Sequence, residues 1–284
     1  AYLHSATMVK AGIFLMARMW PVLSGTPEWF YIVTTAGLIT MVLGAFIALF
    51  KHDLKALLAF STVSHLGLIT MLLGTGTAFG AFVAVFHILN HATFKAALFM
   101  SAGIVDHETK TRDIRILGGL RHLMPITFVI ATLGALSMAG IPLLNGFLSK
   151  EMMLKEMQKT YLFGPEWLVP VLVTFGSLMS AAYCFRLIGH TFLGPKRDAA
   201  SYPAKPHDPG AGLWLPPAIL VTLVVGIGVA PFLVQPFVEL VTASLLGISG
   251  QVPEYHIKVW HGVNVPLIMS IIAVCGGLVV LALF

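Results

Sequence analysis

Three titratable side chains recur at four-residue intervals inside one apolar run of the sequence. They are His87, His91 and Lys95, in the segment HILNHATFK. A four-residue spacing stacks side chains on one face of an α-helix, about one turn apart. Histidine titrates near neutral pH, and a desolvated lysine can exchange protons there as well. The ladder therefore favours a proton relay along one helix.

Other interpretations of the ladder stay open at this point. The histidines can bridge packed helices structurally, and Lys95 can extend its ammonium to the membrane surface. Histidines four residues apart also suit zinc, but no Glu follows His87 and the lysine would repel a cation. A haem more often takes one histidine from each of two facing helices. We expect neither a metal ion nor a cofactor.

Further polar residues occupy apolar surroundings. Lys10 lies in the middle of an apolar run, and a charge at the bilayer centre costs at least about 2.5 kcal/mol. Such residues tend to face a bundle interior or a wet cavity. Ser61 and His65 share a helix face and can support a water wire, although a helix-stabilising hydrogen bond explains them equally well.

The segment AGIPLLNGFLSKE, residues 139–151, predicts a helix that breaks inside the membrane. Gly140, Pro142 and Gly146 disfavour a continuous helix. Irregular backbone at membrane depth is tolerated only against protein or a cavity, and transporters build ion sites at such breaks. Lys150 and Glu151 follow directly. In the alternative interpretation the helix simply ends there, and both residues are interfacial.

The composition predicts an all-α polytopic membrane protein. Of 284 residues, 57% are hydrophobic and only 10% are charged, whereas soluble domains carry about 25% charged residues. The net charge of +5 fits basic cytoplasmic loops and does not suggest nucleic-acid binding. Cys184 and Cys275 lie in apolar runs and are expected to be buried thiols.

The length allows about eight transmembrane helices. The fifth is interrupted at the break, and the seventh is expected over residues 213–246. Both ends of the sequence lie in or beside apolar runs, which predicts a piece of a longer polypeptide. The eight predicted helices begin near Tyr2, Glu28, Leu54, Phe79, Met124, Trp167, Leu213 and Asn264.

Four segments, taken in order, resemble the antiporter-like membrane subunits of respiratory complex I and of the Mrp-type cation/proton antiporters. They are HSATMVKAGIFL, DLKALLAFSTVSHLGLI, HILNHATFKAALFMSAG and GIPLLNGFLSKE. Two more, DHETKTRDIRILGGL and PHDPGAGLWLPPAIL, are most similar to the A-type subunits of the Mrp antiporters. The resemblance implies two inverted five-helix repeats with broken helices, of which this sequence holds the second and the end of the first.

The resemblance also implies a division of the chain. Residues 1–195 would form the proton-translocation module, residues 196–212 a polar linker, and residues 213–284 the C-terminal transmembrane helices. A role in proton translocation is implied for nine residues: His4, Lys10, Lys55, His65, His87, His91, Lys95, Lys150 and Glu151.

Individual roles follow from the matching motifs. Lys10 would link two half-channels, with His4 as a polar partner on the same helix. Lys150, beside the acidic Glu151, would lead to one membrane face. Lys55 would begin a half-helix whose line continues to His65.

The function implied is that of a membrane subunit in a multi-subunit antiporter that exchanges protons for a monovalent cation, sodium being expected. Such a protein is a secondary transporter and not an enzyme, and it would lie in a bacterial cell membrane among partner subunits. The main alternative is a proton-pumping subunit of complex I, driven by quinone reduction. A haem-binding electron carrier and a structural scaffold are weaker alternatives.

Overall fold

The computed structural model describes residues 7–195, 202–247 and 250–283, so His4 lies outside the described residues. Within these ranges the chain is helical and forms no strand, which confirms the expected fold class. The helices are α1 (Ala11–Leu23), α2 (Trp29–Leu49), α3 (Leu54–Gly74), α4 (Ala78–Thr109), α5 (Pro125–Ala139), α6 (Asn145–Met157), α7 (Leu168–Leu193), α8 (Ala211–Val229), α9 (Gln235–Leu246) and α10 (Val265–Leu281).

Five of the described helices are long and apolar enough to cross a membrane, namely α2, α3, α4, α7 and α8. Two shorter apolar helices, α5 and α10, accompany them. The predicted seventh span, over residues 213–246, is instead two helices, α8 and α9. A turn at Pro231–Leu233 separates them, because proline has no N–H to continue the helical hydrogen bonds.

Helix α4 is the centre of the bundle and positions the ladder. It packs against α3, α5, α6, α8 and α9, and it is buried on nearly every side. Thr77 begins it as the N-cap, since its hydroxyl accepts the N–H of Gly80 at 2.8 Å. Lys110, with φ of 56°, ends it in the left-handed conformation. A helix surrounded by other helices can hold polar groups away from lipid.

Arg186 joins two helices at the end of the bundle that carries the loop 110–122. Its guanidinium donates to the carbonyl oxygens of Leu49 and Lys51, the latter at 2.9 Å. Because Leu49 is the last residue of α2, a cation there satisfies carbonyls that the helix leaves unpaired. The two cysteines differ from each other: Cys184 is buried as expected, whereas Cys275 is exposed.

The linker returns to the bundle at Asp208. The Asp208 carboxylate accepts the N–H groups of Ile126 and Thr127 at 2.8 and 3.0 Å, and the Thr127 hydroxyl at 2.7 Å. These N–H groups belong to the first turn of α5 and have no partner within the helix. A carboxylate at that end also interacts favourably with the helix dipole.

We expect Asp208→Ala to lower the free energy of unfolding by about 1–2 kcal/mol, as the loss of a helix cap does. Thermal unfolding of the purified protein in detergent measures the change. Asp208→Asn is the matched control, since its amide oxygen still accepts a hydrogen bond and the loss should be smaller. An Asp208→Ala protein as stable as the wild type would contradict the capping role.

Candidate functional site

The predicted break in the membrane helix is present. Helix α5 ends at Ala139, α6 begins at Asn145, and the backbone enters the left-handed region at Gly140 (φ 95°) and Leu143 (φ 69°). Glycine adopts this conformation without steric cost, whereas leucine does so only under the constraint of its surroundings. The surrounding fold therefore holds the backbone of the break in this conformation.

Side chains from α4 and α5 satisfy the polar groups at the break. Ser137 Oγ donates to Asn145 Oδ1 at 2.7 Å and accepts the N–H of Gly146 at 3.0 Å. Asn145 Nδ2 donates to Thr93 Oγ1, and Asn90 Nδ2 donates to the carbonyl oxygen of Asn145, both at 3.0 Å. Thr93 and Asn90 lie on α4 beside the ladder, so these bonds fix the break relative to it. Sequence reasoning missed Thr93, Ser137 and Asn145, although short polar residues next to a helix break are the signal for them.

Lys150 is held at the C-terminal end of α5. Its ammonium donates to the carbonyl oxygens of Met138 and Ala139 at 2.6 and 3.3 Å, and to Ser180 Oγ at 3.1 Å. The last carbonyls of a helix carry partial negative charge and attract a cation. Because Lys150 is buried, it is not the interfacial residue of the alternative interpretation.

His65, His87 and His91 meet in the bundle interior. His65 Nδ1 lies 3.0 Å from His87 Nε2, and His87 Nδ1 lies 2.9 Å from Ser149 Oγ on α6. The rings of His65 and His91 are 5.3 Å apart, and Phe94 packs against all three rings. His65, a weak candidate from sequence, thus directly contacts the ladder.

The histidine cluster can pass protons. Each imidazole can donate at one nitrogen and accept at the other, and the roles exchange with the tautomer. In the described part of the chain, His65 Nε2 and both ring nitrogens of His91 are buried without a hydrogen-bond partner. Buried polar atoms are normally satisfied, so these three nitrogens call for ordered water.

Lys95 lies one turn beyond His91 and is fully buried, which excludes extension to the membrane surface. Its ammonium donates to Ser61 Oγ and to the carbonyl oxygen of Leu58, the latter at 3.3 Å. Among the described residues, no carboxylate oxygen lies within 4 Å of the ammonium of Lys95 or Lys150. We call His65, His87, His91, Lys95 and Lys150 the central row.

The other sequence candidates lie around this row. Lys10 is buried, has no hydrogen-bond partner in the described ranges, and lines a cavity of about 500 Å³ between α1, α4 and α9. Lys55 forms an ion pair with Asp106 at 2.6 Å, with 40% of its side chain exposed, and lines a cavity of about 730 Å³. The structure does not bring Lys55 into contact with the central row.

Glu151 faces away from the break toward the start of α10. Its Oε1 accepts a hydrogen bond from Asn264 Nδ2 at 3.3 Å, and its Oε2 lies 3.6 Å from His261 Nδ1. The side chain is buried. His261 and Asn264 lie far from the sequence motifs, and no sequence pattern pointed to them.

The central row suits proton movement better than metal binding. Among the described residues, no group of three or more His, Cys, Asp or Glu side chains is arranged to hold a metal ion. The imidazoles of His65 and His87 bond to each other, and His87 bonds to the Ser149 hydroxyl, which are geometries for proton exchange. The row also joins α3, α4 and α6, so it runs across helices and not only along one.

Known proteins are similar to this chain in sequence and in fold. Residues 1–180 match the family described as the NADH:quinone oxidoreductase/Mrp antiporter transmembrane family. The A/B subunit of a probable K⁺/H⁺ antiporter from Rhizobium meliloti is 52% identical over 98% of this chain and 28% of its own length. The A subunit of a Na⁺/H⁺ antiporter from Alkalihalophilus pseudofirmus is 42% identical over 98% of this chain and 38% of its own length.

The structure of the Mrp complex from Dietzia sp. DQ12-45-1b contains a similar chain. The TM-score is 0.86 at 37% sequence identity, over 99% of this chain and 30% of that one. This chain thus spans about a third of the length of the relatives that it matches. Because residues 1–180, more than half of the chain, match it, the chain belongs to the NADH:quinone oxidoreductase/Mrp antiporter transmembrane family.

Proposed function

We propose that this chain is the proton-translocating part of a membrane subunit in a multi-subunit monovalent cation/proton antiporter of a bacterial cell membrane. The observation that carries the proposal is the hydrogen-bonded chain from His65 through His87 to Ser149, the residue before Lys150 on the broken helix. The names of the two relatives support the reaction class. As part of a secondary transporter, the protein is not expected to be an enzyme.

Protons would move along the central row by short transfers. A proton on Lys95 passes through water to His91 and His65, crosses to His87, and reaches Ser149 and Lys150. Two positive charges about 4 Å apart repel by about 4 kcal/mol at an effective dielectric constant of about 20. Charging one member of the row therefore favours proton release from its neighbours.

The residues around the row would connect it to its surroundings. Lys10 and its cavity would link the row to a neighbouring half-channel, with His4 assisting. Lys55, paired with Asp106, would lie at the entrance beside α3. Glu151 would connect Lys150 to the opposite face. Each of these roles rests on position and on the family motifs.

A proton-pumping subunit of complex I is the second candidate, because the matched family includes NADH:quinone oxidoreductase. The same row would then be driven by redox chemistry in other subunits. Co-purification with redox subunits would favour this candidate.

The test is cation-driven proton exchange in everted membrane vesicles from an antiporter-deficient host. The protein is expressed from its complete gene together with the neighbouring genes, and Na⁺ and K⁺ are compared. We expect an established pH gradient to collapse on addition of at least one of these cations, and not in vesicles without the protein. Exchange with neither cation, together with quinone-dependent proton pumping, would overturn the proposal.

A further inference from the structure

The segment 250–264 and the start of α10 cover the side chain of Glu151. Tyr255 OH lies 3.0 Å from His261 Nε2, and the two rings stack with centroids 5.8 Å apart. His261 Nδ1 lies 3.6 Å from Glu151 Oε2, and Asn264 Nδ2 holds Oε1 at 3.3 Å. Three groups that can exchange protons thus follow one another. Two of them, His261 and Tyr255, lie outside residues 1–180, which match the family.

In one tautomer of His261 the tyrosine is the donor of this hydrogen bond. Burial, and the negative charge of Glu151, raise the pKa of Tyr255 to about 12. Tyr255 is therefore a neutral hydroxyl at physiological pH and can donate its proton to His261 Nε2. A neutral imidazole that accepts at Nε2 carries its hydrogen at Nδ1, the nitrogen that faces Glu151.

A cavity of about 540 Å³ opens beside these groups. Such a volume has room for several waters, since each occupies about 30 Å³ in the liquid. Its lining includes Glu151, Tyr255, His261, Lys155 and Lys159. The Lys155 ammonium lies 4.6 Å from the centre of the Tyr255 ring. Two lysines in the lining repel a metal cation, so the cavity does not favour Na⁺ or K⁺ binding.

We propose that Glu151, His261 and Tyr255 form a proton-exchange site between the broken helix α6 and water in this cavity. The inference rests on the proposed function and adds the terminal donor–acceptor chain to it. His261 gives its Nδ1 proton to the Glu151 carboxylate and takes the Tyr255 proton at Nε2, while Tyr255 takes a proton from a hydronium ion. One proton moves from hydronium to Glu151, water is left, and the reverse steps release it.

Several charged groups besides Glu151 lie near this site and bear on the pH dependence of exchange. Lys150 precedes Glu151 on α6, but its ammonium donates to the end of α5 and to Ser180. Lys155, on α6, and Lys159, just after α6, also line the cavity. The Glu156 carboxylate accepts a hydrogen bond from the hydroxyl of Thr77, which is not part of this site. Within the described residues, His261 is the one histidine in the cavity lining.

The first test compares pH profiles of exchange in everted vesicles that carry the complete complex. We expect His261→Gln to lower the maximal rate about tenfold and to shift the pH optimum by at least half a unit. Tyr255→Phe should shift it in the same direction. His256→Gln is the matched control, since His256 is exposed and contacts Gln235 instead of Glu151. An assembled His261→Gln complex with the wild-type rate and profile would overturn the inference while leaving the antiport function intact.

The second test does not depend on the folding of polar-site variants. Val265 lines the cavity and is 57% exposed, whereas Val263 is 81% exposed and does not line it. In a Cys275→Ser background, a charged methanethiosulfonate reagent is present on both faces during vesicle preparation. We expect it to block exchange in Val265→Cys and not in Val263→Cys. Unmodified or uninhibited Val265→Cys would overturn the inference, and absence of exchange in untreated wild type would instead overturn the proposed function.

Discussion

Lys150→Ala is expected to lower cation-driven proton exchange at least about fiftyfold. The variant removes a proton carrier from the bundle interior. Without this carrier, moving a charge through the bundle interior costs at least about 2.5 kcal/mol more free energy. That cost corresponds to about seventyfold in rate. Exchange in everted vesicles measures the loss.

The same substitution also leaves carbonyl oxygens unpaired. The carbonyls of Met138 and Ala139 lose their partner, and each buried unsatisfied group costs about 1–3 kcal/mol. Lys150→Arg separates the two effects, because a guanidinium still donates hydrogen bonds but does not release its proton. We expect Lys150→Arg to assemble and yet to exchange no protons.

The matched control is Lys258→Ala. Lys258 is exposed, lies in the segment 250–264 outside the helices, and carries the same charge. Its removal should change the exchange rate less than about twofold. Rates near the wild-type value in both Lys150 variants would show that this lysine is not on the proton path.

Gly146→Ala is expected to prevent stable folding of the broken helix. A Cβ at Gly146 would overlap the carbonyl oxygen of Ser137 and would lie 2.8 Å from its carbonyl carbon. The obstacle is backbone, and Ser137 is itself tied to Asn145 and Gly146 by hydrogen bonds. Neither partner can move away without breaking that network, so we expect a loss of about 3 kcal/mol, the upper end of what overpacking costs.

Thermal unfolding in detergent and the yield of assembled complex measure the effect of Gly146→Ala. Gly103→Ala is the control, since a Cβ at Gly103 meets no atom within 4 Å. Alanine has the higher helix propensity, so Gly103→Ala should be neutral or stabilising by up to about 1 kcal/mol. A Gly146→Ala protein as stable as the Gly103→Ala protein would contradict the packing of the break.

The sequence predicts those parts of the site that lie within one helix. Four-residue spacing places His87, His91 and Lys95 on one face, and the Gly-Pro-Gly pattern predicts the break before Lys150. Both features depend on local geometry, which spacing and backbone preference determine. The roles of the nine candidate residues remain predictions, and His4 lies outside the described residues.

The contacts between helices could not be predicted in this way. His65 pairs with His87, and Ser61 pairs with Lys95 and not with His65, because α3 packs against α4 in one particular register. The pattern of residues 213–246 is apolar on both sides of Pro231 and therefore favoured one long span. His261 reaches Glu151 only through the fold of the C-terminal segment, which carries no chemical motif.

The central claim is that Lys95 passes a proton within the row, and Lys95→Ala tests it most directly. Lys95 is fully buried, and Ser61 Oγ keeps its own bond to the carbonyl oxygen of Leu58 at 2.8 Å when the lysine is lost. The substitution therefore interrupts the row without leaving the serine unpaired.

The measurement is cation-dependent collapse of an established pH gradient in everted vesicles with equal amounts of assembled wild-type and Lys95→Ala complex. We predict collapse in the wild type and a rate at least about fiftyfold lower, near the limit of detection, in Lys95→Ala. Equal rates of collapse in the two would contradict the account and would make the ladder in HILNHATFK a structural feature.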